Sequence, residues 1–186
     1  WRKTDKRSQA AQMEANRYLV ANRSYLLARA YSELGKLDGS QSCASREACY
    51  EMAAAELEKD IARGAGAFHD TYVFLRASVY EDWGQSAAAR RDLEFLRSSP
   101  TYGAMASRML GEIFLADARR QLSPPLKSSS ILAARVAYRA AVAIPTAAMA
   151  GQLGVADTFL MEAERVEEDV LQRARYADAA REFGLA

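Results

Sequence analysis

Apolar residues recur at helical spacing along most of this 186-residue chain, and that periodicity constrains the fold more than any other feature. From Ala10 to Leu34, most of the large apolar side chains stand three or four residues apart, which places them on one helical face. Alanine, the best helix former, makes up about a fifth of the chain, whereas proline, the worst, is rare. Because no segment shows a convincing strand pattern, the sequence predicts an all-α fold.

Glycines, prolines and capping residues divide the chain into six helices and a C-terminal segment. Helix starts are predicted at Ser45, at Asp70 or Thr71, at Ser86 and at Thr101. Helix ends are predicted at Gly35, near Gly64 and Gly66, at Trp83 with Gly84, before Pro100, at Ser123-Pro124-Pro125 and at Pro145. Two adjacent prolines cannot both continue a helix, so we expect the fifth helix to stop there and 127–130 to be a polar loop. We also expect Phe95 to be buried, and 147–183 to form one or two long helices.

Three segments share a pattern of small, aromatic and turn residues. They are Leu27-Ala28-x-x-Tyr31-x-x-x-Gly35, Ala77-x-x-Tyr80-x-x-x-Gly84 and Leu110-Gly111-x-x-Phe114-x-x-x-Ala118. The aromatic residues Tyr80 and Phe114 are one period apart, and Tyr31 and Tyr80 are separated by the same period with an insertion. Small residues let paired helices approach closely, and the aromatic residues would fill the space between hairpins.

This pattern resembles the tetratricopeptide repeat, whose unit is a helical hairpin with the same period, about 34 residues. The resemblance implies one domain over 1–186, an α-α superhelix of TPR-like hairpins with a long C-terminal capping helix. Its units would cover approximately 20–62, 70–101 and 104–146, followed by a capping helix or helices at 147–183. Ser24, Val73 and Ser107 replace the tryptophan that the family has in its first helix. A helical bundle without repeats is the alternative.

In tetratricopeptide proteins the first helix of each hairpin lines a groove that binds peptides or partner segments. Carried over by position, this groove would be lined by Asn22, Tyr25, Arg29, Glu33, Thr71, Phe74, Ser78, Asp82, Met105, Arg108 and Glu112. Its aromatic, methionine and arginine side chains are those that protein interfaces favour. Ordinary packing between neighbouring hairpins is the alternative explanation for each of these residues.

Residues for catalysis and for cofactor binding are scarce in this sequence. The chain has a single histidine, His69, which together with two cysteines makes no convincing metal-ligand set. The phosphate-binding motifs Gly-x-x-x-x-Gly-Lys and Gly-x-Gly-x-x-Gly do not occur, and no Gly-x-Ser-x-Gly elbow is present. We therefore expect no enzyme activity, no cofactor and no metal.

Cys43 and Cys49 are the only cysteines. On one continuous helix they would lie about 9 Å apart along the axis, beyond the reach of a disulfide. The segment from Ser40 to Ser45 has the composition of a loop, however, so Cys43 can fold back onto Cys49. A disulfide there would indicate an oxidising compartment, whereas two free thiols would fit a reducing one.

Charge and hydropathy exclude further classes of partner. The net charge is +1, and the arginine doublets are scattered among acidic residues, so no basic stripe predicts nucleic-acid binding. No apolar stretch is long enough to cross a bilayer as a helix, so the sequence predicts no transmembrane segment, although lipid anchoring before residue 1 stays open.

The sequence therefore favours a scaffold or chaperone that binds a protein or peptide segment in a groove. A role in bacterial envelope assembly or secretion, with periplasmic rather than cytoplasmic location, is the favoured setting. Two alternatives stay open: a carrier of a small apolar ligand between hairpins, and an enzyme of unrecognised type.

Overall fold

A computed structural model of the chain describes residues 23–37, 43–64, 66–145, 147–164 and 169–185. Within these ranges the structure has eight α-helices, one short 3-10 turn and no strand, which confirms the predicted all-α fold. The helices are α1 (Arg23–Lys36), α2 (Arg46–Ala62), α3 (His69–Asp82), α4 (Ser86–Leu96), α5 (Gly103–Arg120), α6 (Pro124–Val142), α7 (Ala148–Ala163) and α8 (Asp169–Leu185).

The chain divides into two compact units between Gln85 and Ser86. This division falls between α3 and α4, the two helices of the repeat unit predicted at 70–101. Gly84 ends α3 with a positive φ of 79°, a backbone conformation that glycine adopts without strain. The repeat type itself stays a prediction.

Helices α1, α2 and α3 make up the described part of the first unit, and each packs against the other two. Their shared core contains Ala28, Tyr50, Ala53, Ala54, Leu57, Tyr72 and Val79. Gly35 lies against the ring of Tyr50, where an added β-carbon would stand 2.9 Å from Cζ. This glycine, which was predicted to end a helix, is therefore also needed for close packing between α1 and α2.

The second unit contains α4 to α8. Helix α5 packs against α4, α6 and α7, and α7 packs in turn against α6 and α8. The core shared by α5 to α8 contains Leu115, Ala118, Ile131, Ala134, Tyr138, Val155, Phe159, Met161 and Ala179. The segment predicted as one or two long helices thus forms two: α7 is largely buried, and α8 is mostly exposed.

The prediction that Pro124 and Pro125 precede a loop is wrong. Both prolines stand in the first turn of α6, with Ser123 as the N-cap residue. The first backbone N–H groups of a helix have no partner within it, so proline is tolerated at this position. Residues 127–130 are consequently helical, and Ser128 Oγ donates a hydrogen bond to the carbonyl of Pro124 at 3.0 Å.

Other local predictions also need correction. Helix α3 begins at His69 rather than at a cap on Asp70 or Thr71, because a 3-10 turn over Gly66–Phe68 leads directly into it. Helix α5 begins at Gly103 rather than at the predicted start, Thr101. Phe95 is 58% exposed rather than buried, whereas Leu93 and Leu96 on the same helix are fully buried.

Candidate functional site

Three predicted groove residues line one face of α1. Tyr25, Arg29 and Glu33 recur at every fourth position, which aligns them along a helix. The guanidinium carbon of Arg29 lies 5.8 Å from the centre of the Tyr25 ring, within the range of a cation–π interaction. Tyr25 packs on the core of the first unit while Arg29 stays exposed, so this face presents an ordered aromatic residue beside an accessible charge.

Helix α3 carries four more predicted groove residues: Thr71, Phe74, Ser78 and Asp82. Ser78 Oγ donates a hydrogen bond to the carbonyl of Phe74 at 3.1 Å, so the serine hydroxyl is engaged within its own helix. Thr71, Phe74 and Ser78 are half-buried, whereas Asp82 is exposed at the C-terminal end of α3. Asp82 is therefore the most accessible of the four.

Lys36 connects the two helices, and sequence reasoning missed it. Its Nζ lies 2.9 Å from Oδ2 of Asp82 and 3.3 Å from Oε1 of Glu33. The hydrogen bond to Asp82 is the largest cause of a raised pKa for Lys36; burial opposes it. The short spacing from Glu33 is visible in the sequence, but the approach of Asp82 depends on how α1 packs against α3.

The remaining predicted groove residues are not part of this surface. Met105, Arg108 and Glu112 lie on α5 in the second unit, where Arg108 forms an ion pair with Glu112 one turn away. Met105 is 40% exposed. Asn22 lies outside the described residues. The structure therefore joins α1 and α3 through Lys36 and Asp82. We group the predicted residues of these two helices with Lys36 under the name α1–α3 surface: Tyr25, Arg29, Glu33, Thr71, Phe74, Ser78 and Asp82, with Lys36.

An open pocket of about 320 Å³ lies between α2 and α3 in the first unit. Its lining residues are Glu51, Ala54, Ala55, Glu58, Tyr80 and Trp83. We call it the α2–α3 pocket. Sequence reasoning placed Tyr80 among the packing residues and Trp83 at a helix end, and it missed the pocket, because the glutamates come from a different helix.

Aromatic rings form one wall of the α2–α3 pocket. The ring centre of Trp83 lies 6.4 Å from that of Tyr80 and 6.4 Å from that of Tyr50, and each pair of planes is within 20° of parallel. Tyr50 is 1% exposed, so it anchors the indole to the core. Trp83 and Tyr80 are half-buried, which leaves part of their surface open to a ligand.

The two carboxylates of this pocket differ in their partners. Glu58 forms an ion pair with Arg76 of α3. Glu51 is exposed, and no residue in the described part of the chain forms an ion pair with it. Among the described residues, therefore, one carboxylate of the pocket has a cationic partner and the other has none.

Cys43 and Cys49 are joined by a disulfide, with their Cα atoms 5.4 Å apart. Cys43 precedes α2, and Cys49 is buried in its first turn. Between them, Ser45 caps α2 by accepting a hydrogen bond from the backbone N–H of Ala48 at 3.1 Å. The disulfide and the cap together hold the chain at the start of α2.

A buried arginine links α6 and α7 in the second unit. Arg135 Nε donates a hydrogen bond to Oγ1 of Thr158 at 2.9 Å, and the guanidinium carbon lies 3.8 Å from the centre of the Phe159 ring. Nη2 of Arg135 lies 2.9 Å from Oε2 of Glu162, but neither atom has a well-aligned hydrogen-bond partner within the described ranges. This cluster joins helices of the core, and Arg135 and Thr158 are buried in it, which indicates a structural role.

The described residues contain no group of three or more potential metal ligands. His69 lies at the start of α3, with Nδ1 3.6 Å from Oδ1 of Asp70. Among the described helices, none is both long enough and apolar enough to cross a membrane.

Comparison with known proteins identifies no relative: no protein-family model, no curated protein and no solved structure matches the sequence.

Proposed function

We propose that this protein is a protein-binding module, a scaffold or chaperone whose first unit holds a partner segment on the α1–α3 surface. The observation that carries the proposal is the contact between Lys36 and Asp82. This contact joins α1 and α3, the first helices of two predicted hairpins. In the tetratricopeptide resemblance, these are the helices that bind partners.

The composition of the α1–α3 surface supports the proposal. Tyr25 offers a partly exposed ring that is held by the core, and Arg29 offers an exposed guanidinium beside it. Anchored aromatic and arginine side chains contribute most of the binding energy in many interfaces. The Glu33–Lys36–Asp82 group adds charges of both signs at the other end of the surface, which suits a polar rim.

The disulfide supports the cellular setting that we propose. Disulfides persist in oxidising compartments and are rare where thiols are kept reduced. The bond between Cys43 and Cys49 is therefore in keeping with a location in the bacterial envelope, such as the periplasm.

Affinity capture under native conditions, followed by mass spectrometry, tests the proposal. Partners retained by the wild-type protein are purified, and their affinities for the wild type and for Arg29→Glu are measured by calorimetry. We expect Arg29→Glu to weaken binding roughly tenfold or more, because it reverses an exposed charge in the surface without removing buried atoms.

Arg23→Glu is the matched control. It makes the same charge change on the same helix, but its side chain points away from the line of Tyr25, Arg29 and Glu33. We expect this control to keep its affinity within about twofold. Equal binding by the wild type and Arg29→Glu would reject the α1–α3 surface as the binding site.

A further inference from the structure

We infer that the α2–α3 pocket binds the guanidinium group of an arginine side chain that a partner segment presents. The inference rests on the proposed function, because it specifies the chemistry of the partner, and it adds a second site to the first unit. Three properties of the pocket support it: its charge, its aromatic surface and its size.

The charge of the pocket favours a cation. Glu58 is already paired with Arg76, whereas Glu51 has no cationic partner among the described residues. A ligand with one positive charge would balance Glu51. An anion would meet an unbalanced negative charge, and a neutral group would leave that charge without a partner.

The aromatic wall favours a planar cation. Arginine stacks on aromatic faces and is more weakly hydrated than the compact ammonium of lysine. Tryptophan is the best aromatic partner for a cation, and the ring of Trp83 is held in place by contacts with Tyr50 and Tyr80. A guanidinium that lies on this wall can also donate two parallel N–H hydrogen bonds to a carboxylate. An ammonium acts as a point charge and lacks this fixed two-point geometry.

The size of the pocket fits one side chain rather than a large ligand. Its volume of about 320 Å³ is at the lower end of the range for small-molecule sites. Ala54 and Ala55 contribute only methyl groups to its lining, which leaves room for the methylene stem of an arginine. We therefore expect the stem to cover the alanines while the guanidinium lies between Glu51 and Trp83.

Tryptophan fluorescence tests this inference without any partner protein. The chain has two tryptophans, Trp1 and Trp83, so Trp1→Phe leaves Trp83 as the only indole. The full chain in this background is titrated with acetyl-Gly-Arg-Gly-amide. Parallel titrations use the same peptide with citrulline, a neutral isostere, and with lysine. We expect a saturable change in fluorescence with the arginine peptide, binding at least threefold weaker for lysine, and no saturable binding for citrulline.

Two glutamine variants test whether the carboxylate of Glu51 contributes to binding. Glu51→Gln is expected to weaken the arginine peptide roughly threefold to fivefold, because it removes the unbalanced charge. Glu56→Gln is the matched control on the same helix, since Glu56 pairs with Lys59 outside the pocket. It should leave the affinity unchanged. Circular dichroism of both variants verifies that the helices are intact.

Three results would each overturn the inference: no saturable response to the arginine peptide, equal binding of the citrulline peptide, or equal affinities for Glu51→Gln and Glu56→Gln. Equal binding of the lysine peptide would overturn the choice of a guanidinium. The outcome is separate from that of Arg29→Glu, since the peptides probe the pocket and the captured partner probes the α1–α3 surface. Failure of one experiment therefore does not decide the other.

Discussion

Gly154 of α7 lies so close to Tyr138 of α6 that an added β-carbon would stand 2.3 Å from Cδ1 of the ring. Gly111 of α5 also lies against this ring, with its added β-carbon 2.6 Å from Cε1. Tyr138 is 4% exposed, and burial raises its pKa. Three helices of the second unit thus meet at one tyrosine ring because two of them carry glycine there.

The first prediction follows from this contact. Gly154→Ala should lower the free energy of unfolding by about 1–3 kcal/mol, because overpacking the ring costs more than alanine's helix propensity returns. Denaturation by urea measures the change. Gly184→Ala is the control, since an added β-carbon there meets nothing within 4 Å. Gly184→Ala should be neutral or slightly stabilising, and an unchanged midpoint for Gly154→Ala would contradict the close packing.

The second prediction concerns Arg135 and Glu162, whose side chains are 10% and 21% exposed. Removing Arg135 leaves Glu162 with only the longer contact to Nε of Arg175 at 3.5 Å, so a double-mutant cycle with Arg135→Met and Glu162→Gln should give a coupling energy above about 1 kcal/mol. The exposed pair of Arg97 and Glu94 is the comparison, and there the coupling should stay below about 0.5 kcal/mol. Similar coupling energies for the two pairs would show that burial does not strengthen the interaction between Arg135 and Glu162.

The third prediction concerns the disulfide. Replacing both Cys43 and Cys49 by serine should cost about 2 kcal/mol, because the unfolded chain regains the entropy of a short closed loop. Thermal unfolding with and without reductant measures this effect, and reductant should not change the double-serine variant. A thiol titration of the denatured protein should find no free thiol before reduction. Two free thiols at that point would contradict the bond.

The fourth prediction concerns pH. The pKa of Lys36 is raised above its ordinary value of 10.5, chiefly by the hydrogen bond to Asp82. A raised pKa in the folded state means that the stabilising contribution is present below about pH 10.5 and is lost as pH rises through the folded value. NMR titration of the lysine side chains should show a lower pKa for Lys36 in Asp82→Asn than in the wild type. No change on this substitution would refute the contact between α1 and α3.

Local sequence rules predicted helix ends well where a residue's backbone or capping preference sets the end. Gly84 ends α3 at a positive φ, and Ser45 caps α2 as expected. The same rules failed at Pro124 and Pro125, because proline is unfavourable inside a helix yet favourable in its first turn. The serines at 128–130 are compatible with a loop or with a helix, so they do not show where α6 begins.

The spacing of Tyr25, Arg29 and Glu33 predicts that they share one helical face, and the resemblance places them in a groove. Their counterparts on other helices were placed by resemblance alone. The structure brings α1 and α3 into one unit, whereas Met105, Arg108 and Glu112 lie in the other. The α2–α3 pocket had no signal at all in the sequence, since Glu51 and Trp83 are far apart in the chain and belong to different predicted hairpins.

The sequence by itself determined that the chain is helical, and it located most helix ends, because these depend on backbone preferences and on neighbours within one turn. Only the tertiary structure decided that Lys36 meets Asp82, that Gly111 and Gly154 lie against the ring of Tyr138, and that glutamates of α2 line one pocket with Tyr80 and Trp83. These contacts join residues far apart in the chain. They depend on which helix faces fit together, and that is set by side-chain packing rather than by local spacing.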